Sequence, residues 1–309
     1  MTQACTRLLR SVLLVEIVVV GHLSRDLLVT PEMTRESLGG GTAYAMLAPA
    51  LGALGAGIVT RVGRDFEQKY LDALKESGLD LTGLRTSGLH TTRFVNEYDA
   101  HGERTQRIEA LAPPLRGEDY LPQHLNAGIV HFCPLTADEI HLSCFQAMRP
   151  TGALISLDVQ GFLRESKIGP VELREWQDRD AVLRYVDVLK ADHEEILVAM
   201  GEESEERAVE RALSLGPRIV IVTRDRRGSS IFTRHGRVDI PAVLCERLVD
   251  ETGAGDTYTV GFLLEYVRCG DVHRAGLFAA TCASFNLEHV GPYVMPSRQQ
   301  VEERMWKYL

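Results

Sequence analysis

No apolar run in this 309-residue chain is long enough to cross a bilayer as a helix. Arg7 and Arg10 precede the apolar stretch Ser11–Val15 as they would in a secretory leader. Glu16 interrupts that stretch, however, and no Ala-x-Ala cleavage site follows. Ile17–Gly21 then reads as a buried first strand, which makes residues 1–15 a peripheral extension and 16–309 the folded unit. Basic charge is not in excess either. The 34 Lys and Arg stand against 43 Asp and Glu, interspersed, for a net charge of −9. Such a balance argues against a general nucleic-acid or anionic-membrane surface and leaves room for local basic sites, which an anionic ligand would need. None of the six cysteines forms a Cys-x-x-Cys pair or lies near a histidine at metal-ligand spacing. Scattered cysteines in an α/β pattern suit a reducing cytoplasm. Gly-x-x-x-x-Gly-Lys-Ser/Thr, His-Glu-x-x-His and Gly-x-Ser-x-Gly are all missing, so a Walker-type phosphate loop, a zincin and a nucleophile elbow are excluded.

What the chain does have is Asp250-Glu251-Thr252-Gly253-Ala254-Gly255-Asp256-Thr257, just before the helical run Thr257–Val267. The third glycine of a dinucleotide fingerprint is absent, because Tyr258 stands there. Small residues at 253–255 let backbone pass close to a ligand. A helix opening there turns unpaired N–H groups and the positive end of its dipole outward, which makes an anion site. A carboxylate alone would gain little from that position. A phosphate, together with a base that must meet an incoming hydroxyl, accounts for both the glycines and Asp256.

Around this turn the chain reads as α/β, with length for one large domain or two smaller ones. Residues 16–21 and 27–30 are expected strands. Gly39-Gly40-Gly41 opens an expected helix from Thr42 to about Leu54, followed by a strand at 56–60 and a helix at 66–77. Residues 91–109 alternate like exposed antiparallel strands with a turn at Asp99-Ala100-His101-Gly102. From about 127 strands are expected at 128–133, 153–157, 186–190 and 218–223. Helices are expected at 137–148, 173–182, 192–200 and 204–214. Apolar strands separated by helices imply a doubly wound, mostly parallel sheet with helices on both faces. A hairpin at 228–233 and 236–241 and two long helices at 255–268 and 271–287 complete the pattern. Segments 26–38 and 91–109 are expected to form a small β lid.

Four separated segments resemble one family. The late signature Asp-Thr-x-Gly-Ala-Gly-Asp of the ribokinase-like (PfkB) carbohydrate kinases corresponds to Asp250–Asp256. The early signature corresponds to Gly39-Gly40 and Val62-Gly63-Arg64-Asp65, a Gly-x-x-x-x-Asp to Gly21–Asp26, and Asn-x-x-Glu to Asp192-His193-Glu194-Glu195. The similarity spans about residues 16 to 306. It implies a ribokinase-like fold and transfer of the γ-phosphoryl group of ATP to a hydroxyl, a reaction governed by positioning and charge neutralisation. By the resemblance, Asp256 is the general base. The amides around Gly253, Ala254 and Gly255 hold the charge growing on the transferred group, at about 3 kcal/mol per donor. Asp26, Gly39, Gly40 and Gly41 hold the acceptor. Asp192, Thr223, Gly253, Gly255, Ala280 and Ser284 hold ATP, with the small residues of 279–284 leaving room for adenine. Glu195 acts through water on Mg²⁺. Asp250 and Thr252 are candidates for a monovalent cation, K⁺, and the lid offers a surface for a homodimer.

Three positions depart from the family pattern. Tyr44 replaces the Asn of Gly-Gly-x-x-x-Asn, Asp192 replaces the Asn of Asn-x-x-Glu, and Asp225 replaces the Gly of Thr-x-Gly. Arg224, Arg226 and Arg227 follow Thr223 as candidate phosphate contacts. Gly41 stands where ribose-binding relatives often carry Lys, and Arg93, Arg104 and Arg107 are the candidates for a phosphosugar site without forming a cluster. An uncharged acceptor is therefore expected. The Gly-Gly segment followed by an aromatic residue is similar to that of the myo-inositol kinases. A nucleoside acceptor is the alternative, and a non-catalytic sugar- or nucleotide-binding member is the alternative outside enzymes.

Overall fold

The computed structural model describes residues 15–99 and 104–309. The expected extension at 1–15 lies, save for Val15, outside the described residues, as does most of the expected turn at 99–102. Fourteen strands are present among the described residues. They are β1 (Ile17–Val20), β2 (Ser24–Val29), β3 (Thr34–Gly39), β4 (Ala56–Val62), β5 (Asp80–Thr86), β6 (Arg93–Tyr98), β7 (Arg104–Ala110), β8 (Ile129–Phe132), β9 (Leu154–Asp158), β10 (Gly169–Pro170), β11 (Val188–Asp192), β12 (Ile219–Thr223), β13 (Ser229–Thr233) and β14 (Gly236–Ile240).

Nine of them form one sheet in the order β14-β13-β12-β11-β9-β8-β1-β4-β5. All pairings are parallel except those of the β13–β14 hairpin at one edge. The reason is legible in β1, whose four residues are all buried. Ile17 and Val19 belong to one hydrophobic core and Val18 and Val20 to the other, because successive side chains leave a strand on opposite faces. The first core takes in Phe262, Leu277 and Val301 from the helices Ala254–Cys269, Val272–Asn286 and Arg298–Met305. The second takes in Phe145, Ile196 and Val209 from Leu142–Met148, His193–Met200 and Glu205–Leu215. A sheet covered on both faces buries apolar strands throughout, and these strands carry few polar interruptions.

A second sheet, ordered β10-β7-β6-β2-β3, takes β2 and β3 directly after β1 and takes β6 and β7 directly after β5. The expected lid strands at 26–38 and 91–109 fall within it, and β10 joins them from far along the chain. Asp65 fastens this sheet to the end of β4. Its carboxylate accepts from Thr91 N and Oγ1 at 2.7 and 2.8 Å and pairs with Arg25 of β2 at 3.1 Å.

Several expected helices are shorter than their sequence pattern. Residues 42–54 form a 3₁₀ segment, Gly41–Met46, and one α turn, Leu47–Ala50. Pro49 denies the second turn a backbone donor, and Gly52 adopts a left-handed φ of 77°. At 137–148 only Leu142–Met148 is helical, because Glu139 and His141 exchange backbone bonds with Leu115 instead. At 173–182 the helix is confined to Arg179–Leu183. The sequence reading assigned no element to β5 or to Arg298–Met305.

Asp225, which replaces the family glycine, has φ +47° and is the one non-glycine residue with positive φ among the described residues. Left-handed backbone costs an L-residue about 1 kcal/mol, and less for Asp than for most. Asp225→Gly should therefore stabilise the fold by roughly 0.5 kcal/mol once the greater freedom of unfolded glycine is subtracted. The urea midpoint should rise. An unchanged or lower midpoint would mean that the aspartate side chain already offsets the strain.

Candidate active site

The winding of the large sheet reverses at β1, with β4 and β5 on one side and β8, β9, β11 and β12 on the other. Ligands of such sheets bind where the order reverses, beyond the carboxyl ends of the strands. Those ends here are Gly21, Cys133, Asp158, Asp192 and Thr223. A cavity of about 640 Å³ is lined by three of them, Asp158, Asp192 and Thr223, and reaches the second sheet at Asp26 and Phe94.

Asp256 stands at its centre, in the first turn of the helix Ala254–Cys269. Gly253 supplies the turn, with a left-handed φ of 78°. A side chain there would strike the Tyr44 ring, which packs directly beneath. The Tyr44 hydroxyl and Asn286 Nδ2 donate to the Thr252 carbonyl at 3.1 and 2.8 Å, so the turn is clamped from two sides. Tyr44 thus has a structural task in place of the Asn that the family carries. The first intrahelical bond runs from Thr257 N to Gly253 O at 2.9 Å, and Ala254 N is turned to Glu251 O at 3.3 Å. The amides of Gly255 and Asp256 precede that first helical bond, one residue further on than the Gly253–Gly255 set expected from sequence. Gly41 comes so close to Asp256 that a Cβ would run into the carboxylate, and it also touches Cys133.

Burial, then the charge of Asp158, pushes the Asp256 carboxyl up to about 7, against the pull of Lys190 and Arg164. Lys190 and Asp158 are cross-strand neighbours on β11 and β9 and pair at 2.9 Å, both almost fully buried. Burial lowers the Lys190 pKa, but Asp158, Glu195 and Asp256 outweigh it and leave the ammonium firmly charged. Its Nζ lies against Gly255. A fixed cation therefore sits beside the helix N-terminus where an anionic group would lie. Removing one member of such a buried pair costs roughly 3–5 kcal/mol.

Asp26 lines the cavity from β2 and packs against Gly39, while Gly40 and Gly41 face the same space. Asp26 Oδ1 is buried without a well-aligned hydrogen bond, the Ser24 hydroxyl lies beside the carboxylate, and a buried acceptor of this kind awaits a donor. Burial raises the Asp26 carboxyl to about 6, although Arg164 opposes it. Arg164 also lines the cavity and acts on both Asp26 and Asp256.

On the opposite side, Asp192 and Thr223 are paired across β11 and β12, and Ala280 and Ser284 form part of an apolar arm with Val243 and Leu287. Asp192 caps the helix His193–Met200 through Glu195 N at 2.7 Å. Both Glu195 carboxylate oxygens are engaged, one by Asp192 N at 2.8 Å and one by Gln160 Nε2 at 3.0 Å. Asp250 accepts from Thr252 N at 2.9 Å. Arg224 turns away to ion-pair with Glu205, whereas Arg226 borders the cavity. Among the described residues no cluster of three or more His, Cys, Asp or Glu could hold a metal ion.

Sequence reasoning missed Lys190, Asp158 and Arg164. Lys190 lies two residues before Asp192 on one strand and so shares its face, a signal that was available. Arg164 follows β9 in an irregular segment and carried none.

A doubly wound sheet with a glycine turn, a helix start and a buried carboxylate at its switch point suits a phosphotransferase that acts on hydroxyl groups, and the relatives of this chain are kinases of that class. The pfkB family carbohydrate kinase pattern matches residues 15–298, and the chain belongs to that family. A cytidine kinase of Thermococcus kodakarensis is 29% identical over 259 residues, 82% of this chain and 90% of its own. A nucleoside kinase of Methanothermobacter thermautotrophicus is 28% identical over 297 residues, 89% of this chain and 90% of its own. A pyrophosphate-dependent kinase in the ribokinase family, solved with a pyrophosphate analog and myo-inositol, shares the fold. Its TM-score is 0.79 at 24% identity, covering 93% of this chain and 99% of that one.

Proposed function

We propose that the chain transfers the γ-phosphoryl group of ATP to a hydroxyl of an uncharged, polyhydroxylated acceptor: a sugar, a myo-inositol-like cyclitol or a nucleoside. The observation that carries this reading is the placement of Asp256 between Asp26 on one side and the Lys190–Gly255 contact on the other. The acceptor hydroxyl attacks the γ-phosphorus, its proton passes to Asp256, an O–P bond forms, and the bond to the bridging oxygen breaks to release ADP. Lys190 and the Gly255 and Asp256 amides hold charge on the transferred oxygens. Arg164 lines the same cavity, and its charge favours the ionised form of both Asp26 and Asp256.

An uncharged acceptor fits because Arg93 and Arg107 are committed to ion pairs with Glu36, Glu97 and Glu109. The side chain of Arg104 lies outside the described residues. The arm at Ala280, Ser284 and Val243 supports a nucleotide donor, since pyrophosphate has no ring to place there. Asp250 remains the better of the two K⁺ candidates, because the Thr252 carbonyl already accepts two hydrogen bonds. A homodimer through the second sheet and a cytoplasmic setting belong to the same reading.

Phosphorus NMR of the protein with Mg²⁺ and either a pool of sugars, cyclitols and nucleosides or a pool of their phosphate esters, each supplied with ATP or with pyrophosphate, tests it. A phosphomonoester and ADP are expected with ATP. Turnover with pyrophosphate alone would overturn the donor assignment, and turnover of phosphorylated acceptors alone would overturn the acceptor assignment.

A further inference from the structure

The cavity wall on the second sheet carries a feature that phosphoryl transfer does not require. Asn96 of β6 and Gln106 of β7 are direct cross-strand partners, and both line the cavity. Gln106 Nε2 donates to Asn96 Oδ1 at 2.8 Å. That bond orients the two amides against each other. It leaves Asn96 Nδ2 as a donor and Gln106 Oε1 as an acceptor, side by side. Neither has a further side-chain partner among the described residues.

Phe94 precedes Asn96 by two residues and therefore shares its face, adding apolar surface. Its backbone N–H also steadies the Asp26 carboxylate. From Asp26 outward the wall thus offers hydroxyl acceptors, then an apolar ring, then a donor–acceptor edge. The step from Phe94 to Asn96 is about 7 Å along the strand. Beyond a sugar seated on Asp26 and Gly40–Gly41, a nucleoside has a base to lay along that strand; a free pentose or cyclitol has none.

Resting on the kinase reading above, we infer that the acceptor is a nucleoside, with its ribose on Asp26 and its 5′-hydroxyl toward Asp256. Its base lies along Phe94, and the paired amides of Asn96 and Gln106 read the base edge. Adjacent donor and acceptor groups on cytosine, adenine or hypoxanthine match such a pair, as Asn and Gln amides match base edges elsewhere.

Acceptor kinetics with ATP and Mg²⁺ test this on the wild type, Asn96→Leu and Gln106→Leu, using cytidine, inosine, ribose and myo-inositol. In the wild type, kcat/KM for at least one nucleoside should exceed that for ribose and for myo-inositol by roughly 100-fold or more. Either substitution should lower the nucleoside-to-ribose ratio by roughly 10- to 100-fold, the worth of one bidentate base contact. Two results overturn the inference alone: ribose or myo-inositol used as well as any nucleoside, or variants that lose every acceptor in equal proportion. Phosphorylation of none of the four by the wild type would overturn the inference together with the kinase reading beneath it.

Discussion

Asp256→Asn should lower kcat by roughly 10²- to 10⁴-fold, the usual contribution of a positioned general base. The substitution keeps the size of the side chain and removes its basicity. The Gly253 turn, held by Tyr44 and Asn286, depends on backbone and should survive. Loss of one carboxylate near Asp158 and Glu195 relieves like-charge repulsion, so the variant should fold at least as well as the wild type. Nucleotide affinity should change little. Steady-state kinetics beside calorimetry of ATP binding would separate the two effects. Near-normal turnover would reduce Asp256 to a residue of the helix start and remove the proposed mechanism.

The second large effect is expected at Asp26. Its carboxylate lines the cavity with Oδ1 free of any well-aligned hydrogen bond. Two hydrogen bonds from acceptor hydroxyls to a charged group contribute about 1.5–3 kcal/mol each. Asp26→Ala should therefore cut kcat/KM for the acceptor by roughly 10²- to 10⁴-fold. ATP affinity should stay within about twofold of the wild type, because the nucleotide arm at Thr223, Ala280 and Ser284 shares no contact with Asp26. Equal losses for acceptor and nucleotide would show that Asp26 supports the second sheet rather than the substrate.

The parts of this site that were legible in the sequence are those built by local spacing. Gly253–Asp256 is a turn and a helix start written in four residues, and Gly39–Gly41 is a close approach written in three. The β-α alternation after residue 127 was legible because strands buried on both faces are apolar throughout. Contacts made by the sheet's order were not legible. Lys190 meets Asp158 only because β11 lies beside β9 in the finished sheet, and Asn96 meets Gln106 only through the register of β6 on β7. The overlong helices at 42–54, 137–148 and 173–182 failed for a related reason. Tertiary partners, such as Leu115 for residues 139–141, took the backbone groups that a helix would have used. Glu195 shows the converse case. The sequence placed it correctly at a helix start, while its full engagement by Asp192 and Gln160 became visible only in three dimensions.

The pH dependence of acceptor kcat/KM tests the central claim most directly, since it reports the free enzyme. Burial and Asp158 raise the Asp256 carboxyl to about 7, and only its ionised form can take the hydroxyl proton. kcat/KM should climb close to tenfold per pH unit just below that value, more steeply below about 6 where Asp26 also takes a proton, and level off above about 7. Asp256→Asn should lose the climb centred near 7 and keep only that of Asp26. A wild-type profile flat from about pH 5.5 to 8.5, or a climb that persists unchanged in Asp256→Asn, would contradict Asp256 as the base.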